Sequence, residues 1–251
     1  MIYRYWLTKH SFSFKLRRLF LSECPAKQPM QIRVTEKNLQ SRSRTVQSEF
    51  RKQQLIEATI DCIDKLGLSQ TTLARIAEHA GVSQGIVVFH FQSKEGLLEQ
   101  TLRYLSHEYM QCWKDACDNA APDPVSQLCA LIKASFTPSI CNRKKISVWY
   151  GFWGETRSRP KYMELCGNND LAYSGYLLSL CEQIESNTTS TLSALTSALS
   201  IEGMIDGLCQ NFLIGAFGFK RQQAISAVFE LIEVIYPEEH EKIHRFSHSS
   251  Y

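Results

Sequence analysis

Between Thr71 and Lys94 the chain gathers side chains suited to reading base edges and holding phosphates. Gln84 carries an amide that can bond adenine at N6 and N7 together. Val88 and Phe89 offer apolar groups to thymine methyls, and Gly85 allows a close backbone approach. His90 can donate to a phosphate. Lys94 stands at a helix start, where backbone N–H groups and a positive charge together clamp an anion, and Thr72 can make a similar contact. Thr71 and Ser83 complete the candidate set. These residues also suit the plain surface of a small helical bundle, so the elements that hold them decide the reading.

Residues 69–98, SQTTLARIAEHAGVSQGIVVFHFQSKEGLL, carry the punctuation of two short helices, a tight turn and the start of a third. Thr71 and Thr72 can cap the first, because a hydroxyl there accepts from an orphan N–H. Leu73, Ile76, Ala77 and Ala80 fall on one face. Gly81 then takes the positive φ that ends a helix. Ser83 is positioned to cap Gln84–His90, and Ser93 to cap the third helix. Ile86 and Phe91 suit the buried face of the second helix, with Val87 as the alternative to Ile86. This is a helix-turn-helix pattern, whose second helix enters the DNA major groove.

The wording resembles the DNA-binding domain of TetR-type bacterial repressors over about Arg51 to Leu98. The pieces are Thr71-Thr72, Ile76-Ala77, Ala80-Gly81-Val82-Ser83, Phe89-His90-Phe91 and Lys94…Leu97-Leu98. One position departs. Many relatives carry a tyrosine where this chain has Val88, and valine cannot donate to a phosphate. The resemblance implies an all-α fold: an N-terminal three-helix helix-turn-helix domain and a C-terminal helical domain for ligand binding and dimerisation.

Charge is uneven. Residues 1–54 hold twelve Lys/Arg against three Glu, whereas the remainder holds sixteen Lys/Arg against twenty-two Asp/Glu. The helix-turn-helix itself is not basic, so affinity must lean on the basic arm, helix N-termini and pairing of subunits. Residues 1–45 are expected to be a disordered basic extension, with the working start near Met30. The nine cysteines form no CxxC pair, which argues against a disulfide scaffold and for a reducing cytoplasm. Cys62, Cys129 and Cys209 read as small packed hydrophobes. No His/Cys cluster has zinc-ligand spacing, no apolar run is long enough for a transmembrane helix, and no metal or cofactor is expected. No nucleophile–base pair stands at recognisable spacing, so catalysis is not expected.

The helix-turn-helix domain is expected over 46–95, its first helix from about Ser48 to Leu66. A helical domain is expected over 96–238, beginning with a long helix from Ser93 to Asp118. Further helices are read at Val125–Phe136, Lys144–Thr156, Pro160–Gln183, Leu192–Phe217 and Arg221–Ile235. A disordered tail is expected over 239–251. The last two helices are apolar on more than one side. Ile201, Met204, Ile205, Leu208, Phe212, Ile214 and Phe217, with Ala224, Val228, Leu231, Ile232 and Ile235, suit a four-helix dimer interface or, alternatively, internal core. A twofold dimer sets two recognition helices about 34–36 Å apart on a palindromic site of double-stranded DNA.

Ile146 to Trp153, ISVWYGFW, and Ile205-Asp206-Gly207-Leu208 resemble the BetI-type subgroup of that family. The resemblance implies a choline-like effector. Aromatic faces attract a quaternary ammonium by roughly 0.5–2 kcal/mol per good contact. Trp113, Trp149, Phe152 and Trp153 are the candidate rings. Glu155, Glu202 and Asp206 are the candidate acids. An aromatic stripe at helical spacing also suits plain core. The function expected is a transcriptional regulator released from DNA by a small molecule, with the Lys94–Asp118 helix as the lever. The alternative is a C-terminal domain that binds a protein partner.

Overall fold

The computed structural model describes residues 36–155, 158–215, 218 and 220–248. The expected extension up to residue 35, and Phe217 of the expected interface, lie outside the described residues. The helices are α1 (Glu36–Leu66), α2 (Leu73–His79), α3 (Gln84–Phe91), α4 (Lys94–Asp118) and α5 (Pro124–Ser135). They continue with α6 (Arg143–Gly154), α7 (Arg159–Glu185), α8 (Ala194–Ile214), α9 (Arg221–Ile235) and α10 (His240–His248), the last entered through a 3-10 turn at Pro237–Glu239. No strand occurs among the described residues.

Short polar side chains set the helix starts. Thr72, Ser93, Asp123, Asn142 and Ser193 each accept a bond from an N–H two or three residues into their helix. Ser83 occupies the same position before α3, but its side chain makes no capping bond, which corrects the expectation. The end of α2 is a complete Schellman motif. Val82 N–H reaches Ala77 O at 2.9 Å and Gly81 N–H reaches Glu78 O at 3.1 Å, with Gly81 at φ +66°.

Two expectations about order are corrected. The helix α1 begins twelve residues before Ser48, taking in residues read as a loose arm. Residues 36–47 hold no Gly or Pro, but they also show no apolar stripe to signal a helix. At the other end, His240–His248 forms α10 where a tail was expected. Ile243 is wholly buried, Phe246 packs on the same core, and Lys242 Nζ lies 2.5 Å from Asp123.

Two apolar clusters organise the chain. One holds Leu55, Ile63, Leu68, Ile76, Val87 and Phe91 of the helix-turn-helix, and it includes Val148 and Phe152 of α6 and Tyr162 and Cys166 of α7. The other fills the C-terminal helices around Trp113, Phe136, Tyr173, Ile201, Phe229 and Tyr236. The helix α4 runs through both, giving Leu97, Leu102 and Leu105 to the first and Trp113 and Cys117 to the second. Most residues expected at a dimer interface are core of one chain instead. Ile201, Ile205, Ala224, Val228, Ile232 and Ile235 are buried, and Met204, Leu208, Phe212 and Leu231 pack against them. Their helical phase turns them inward, leaving Leu195, Leu199 and Ile214 on α8 and Val234 on α9 exposed.

Candidate DNA interface and effector site

On α3 the buried side is Val87, fully covered, with Phe91 behind it. Ile86 is 38% exposed, so Val87 takes the inner position that the sequence left open between them. Ser83, Gln84, Gly85, Val88 and Phe89 all face outward, and Phe89 is 78% exposed. With Ile86 and Val88 also exposed, α3 presents several apolar side chains on one short helix, which is more informative than a single exposed ring. His90 is half-buried, its ring edge-to-face with Phe89 at 5.1 Å. Burial, then the Lys52 and Arg51 charges on α1, hold His90 below the ordinary histidine value.

Thr72 is exposed and caps α2 through its oxygen, which can still donate its own proton outward. Thr71 is corrected. It is completely buried, and its hydroxyl donates at 2.9 Å to Gly67 O, so it braces the loop after α1 and cannot reach a phosphate. Lys94 is half-buried at the start of α4, with Nζ 3.5 Å from Leu68 O. Between α3 and α4, Gln92 takes φ +65°, and Ser93 N–H bonds Phe91 O at 2.7 Å. That tight turn aims α3 relative to α4. A β-carbon on Gly96 would overlap the Phe91 carbonyl oxygen.

The candidate effector residues divide between two places. Phe152 is buried in the DNA-side cluster, and Trp149 packs there, its ring 5.9 Å from that of Tyr162. Trp113 lies in the other cluster, stacked on Tyr176 at 5.4 Å and edge-on to Tyr173. Glu155 meets Ser158 Oγ at 3.4 Å. The structure therefore does not gather the four proposed rings into one cage.

It does gather acids. Asp170 of α7 joins Glu202 and Asp206 of α8. Burial raises all three above the ordinary carboxylate range, and each interacts with another of the three. Asp206 is pushed up to about 7, first by burial and then by Glu202 and Asp170. Asp206 is nevertheless reached by solvent. The partners of the cluster are neutral: Tyr162 donates to Asp170 at 2.7 Å, and Ser174 donates to Glu202 at 2.7 Å. Among the described residues no Lys or Arg forms an ion pair with any of the three.

Rings border this acid cluster. Tyr150 donates to Asp206 O at 3.3 Å, and its ring meets Trp153 at 5.1 Å. Trp153 in turn meets Tyr162 at 5.8 Å. Tyr109 and Tyr173 lie within electrostatic reach of Asp206 on the other side. Sequence reasoning missed Asp170. The signal was a carboxylate at helical spacing within the buried stripe Tyr162, Cys166, Tyr173 and Leu177.

The helix α6 carries Tyr150 and Trp153 of these rings and also grips the helix-turn-helix. Arg143 and Ser147 reach Asp64 of α1 at 3.3 and 2.8 Å, and Lys144 reaches Asp61 at 2.6 Å. A β-carbon on Gly151 would meet Leu68 at 3.4 Å, so the two halves are packed backbone to side chain.

Residues 55–101 match the family of bacterial regulatory proteins of the tetR type, and residues 124–237 match the C-terminal domain of BetI-type transcriptional repressors. The chain is 32% identical to the HTH-type transcriptional regulator BetI of Yersinia pestis (strain Pestoides F), over 73% of this chain and 91% of that protein. The chain belongs to the TetR family. A BetI regulator of Pectobacterium carotovorum is similar at 33% identity, over 73% of this chain and 93% of its own. This TetR-family chain is thus a helix-turn-helix transcriptional regulator of the BetI type. The fold matches a transcriptional regulator of Pseudomonas aeruginosa PAO1 with TM-score 0.63 and 24% identity, over 78% of this chain and 94% of that one. It also matches a regulator of Saccharomonospora viridis solved in complex with choline, with TM-score 0.64 and 22% identity, over 72% and 95%. No helix among the described residues is long and apolar enough to cross a membrane.

Proposed function

We propose that this TetR-family regulator is a cytoplasmic, dimeric repressor that leaves a palindromic operator when a quaternary ammonium cation of the choline type binds beside the acid cluster of α7 and α8 and the rings of α6. The observation that carries the effector class is the cluster of Asp170, Glu202 and Asp206. Three crowded carboxylates repel one another and are costly to ionise together. A cation beside them relieves that cost, and one too large and apolar to shed to water gains further from ring faces. Trp153, Tyr150 and Tyr162 supply those faces. The choline complex of the Saccharomonospora viridis regulator supports the same class.

DNA contacts fall to Gln84, Gly85, Val88 and Phe89 at base edges, with Thr72, His90 and Lys94 on phosphates. The exposed apolar residues Leu195, Leu199, Ile214 and Val234 support a subunit contact through α8 and α9. Effector and operator compete through the shared body of α6, each weakening the other by one factor.

The test is selection of genomic fragments on the purified protein at stated salt, repeated with choline, betaine aldehyde and a neutral isostere of choline. A twofold site released by the cations and not by the isostere is the expected result. Release by the neutral isostere would refute the charge-based reading.

A further inference from the structure

We propose that Glu233, His240 and His244 form a site for one divalent transition-metal ion of the zinc class, which clamps α10 onto α9. The site is separate from both the DNA face and the acid cluster. Three donors from two helices meet there. His240 Nδ1 lies 3.3 Å from one Glu233 oxygen, and His244 Nδ1 lies 3.5 Å from the other. The three donor atoms all lie within 4.8 Å of one another. A zinc ion bound to nitrogen and oxygen at about 2.0–2.2 Å in tetrahedral geometry holds neighbouring ligand atoms about 3.4 Å apart. The two histidine-to-carboxylate spacings already match that value, and the remaining one lies within 4.8 Å.

The sequence explains the convergence. His240 and His244 stand four residues apart, so they project from one face of α10. Their rings lie nearly parallel, 25° apart, with centroids 5.6 Å from each other. Pro237 opens the 3-10 turn that reverses the chain and brings that face back over the last turns of α9, where Glu233 waits. The helix α10 is fastened independently of the site, by Ile243 in the core and by Lys242 on Asp123. The ligands are thus pre-arranged, and binding needs little ordering.

Donor type sets the metal class. Two imidazoles and one carboxylate suit Zn2+, Ni2+, Co2+ or Cu2+, whereas Mg2+ and Ca2+ favour shells built from oxygen. Glu233 is the least exposed of the three and supplies the one negative charge, while both rings open to solvent and leave room for water in the remaining position.

The experiment uses the full chain without an affinity tag, stripped with chelator and kept reduced. Co2+ binding is followed by its visible absorption and Zn2+ binding by calorimetry. One ion per chain is expected, without thiolate charge-transfer absorption. His240→Ala, His244→Ala and Glu233→Gln should each weaken Zn2+ binding by at least about 10-fold, a loss that outer-shell changes alone can reach. Zn2+ should raise the melting temperature of the parent chain and not of the His240→Ala/His244→Ala variant. His244→Asn, with circular dichroism, checks that lost binding is not lost folding. Absence of saturable binding, an unchanged affinity in the double variant, or thiolate charge-transfer bands that put the ion on cysteines would each overturn the site.

Discussion

The Tyr162 hydroxyl donates to Asp170 across 2.7 Å. The donor belongs to the cluster that also packs the helix-turn-helix, and the acceptor belongs to the acid cluster. One hydrogen bond therefore joins the DNA-binding body to the proposed effector site. A cation that neutralises Asp170 weakens that bond, and a Tyr162 that shifts disturbs Trp149 and Trp153 on α6. Tyr162→Phe keeps the ring and deletes the bond. Choline should then bind with nearly equal affinity in the presence and absence of operator, where the parent shows a coupling of about 5–150-fold. Titrations of both proteins with and without DNA measure this, and an undiminished ratio would remove the bond from the route.

Acidity of the cluster sets a pH dependence. Asp206 ordinarily ionises near 3.8 but holds its proton to about 7 in the folded chain. Between those values folding takes up a proton, so this contribution is full at low pH and is lost as pH rises toward 7 and above. Asp170 and Glu202 are shifted upward as well and act with the same sign. The ligand-free melting temperature should fall from pH 5 to pH 8, and Asp206→Asn should flatten that fall. Affinity for a quaternary ammonium should move the other way, strengthening as the acids ionise. Calorimetric binding at the two pH values checks the second half.

On the DNA side, Gln84 is exposed on the outward face of α3, so Gln84→Ala should leave stability within about 0.5 kcal/mol. Operator binding should lose roughly 1–3 kcal/mol at one base-pair position and relax there. A systematic set of operator variants reads this directly. A uniform loss across all sequences would instead mark Gln84 as a phosphate contact.

Gly96 must stay small. The carbonyl of Phe91 occupies the space a methyl would need. Gly96→Ala should destabilise the chain by roughly 1–3 kcal/mol, the range for overpacking, and disturb the setting of α3. Urea denaturation supplies the figure, and an unshifted midpoint would show that the turn at Gln92 relaxes at little cost.

Cys141 and Cys209 lie with their sulfurs 3.7 Å apart, although 68 residues separate them in sequence. Contact with Cys209, and then the Arg221 charge, lower Cys141 below the ordinary thiol range despite its burial. Mild hydrogen peroxide should convert this pair to a disulfide before any other, two thiols and one peroxide giving one disulfide and two waters. Peptide mapping identifies the linked pair, and Cys141→Ser should abolish it. Cys209 lies about one helical turn after Asp206, so choline affinity should change on oxidation.

The helix-turn-helix was legible because its punctuation is local: Thr72, Gly81 and Ser93 act through bonds within a few residues. Thr71 misled for the converse reason, since its burial is decided by Gly67 and the packing around it. The early start of α1 was hidden because helix-forming polar residues leave no periodic apolar trace. The effector site was half legible. Glu202 and Asp206 stood out four apart on one helix, but their partner Asp170 comes from another helix, and such a meeting is set by tertiary packing alone. The histidine pair of α10 went unseen because the polar tail gave little sign of the core contacts of Ile243 and Phe246 that hold it as a helix.

The close seating of Gly151 against Leu68, with Val148, Phe152, Tyr162 and Cys166 inside the DNA-side cluster, bears on how such a regulator can be recombined. A recombination joint cut after α4 would strip that cluster of its outer wall, and a foreign sensor would have to rebuild it residue by residue. A graft that keeps this cluster whole therefore has to carry α6 and the first half of α7 along with the helix-turn-helix.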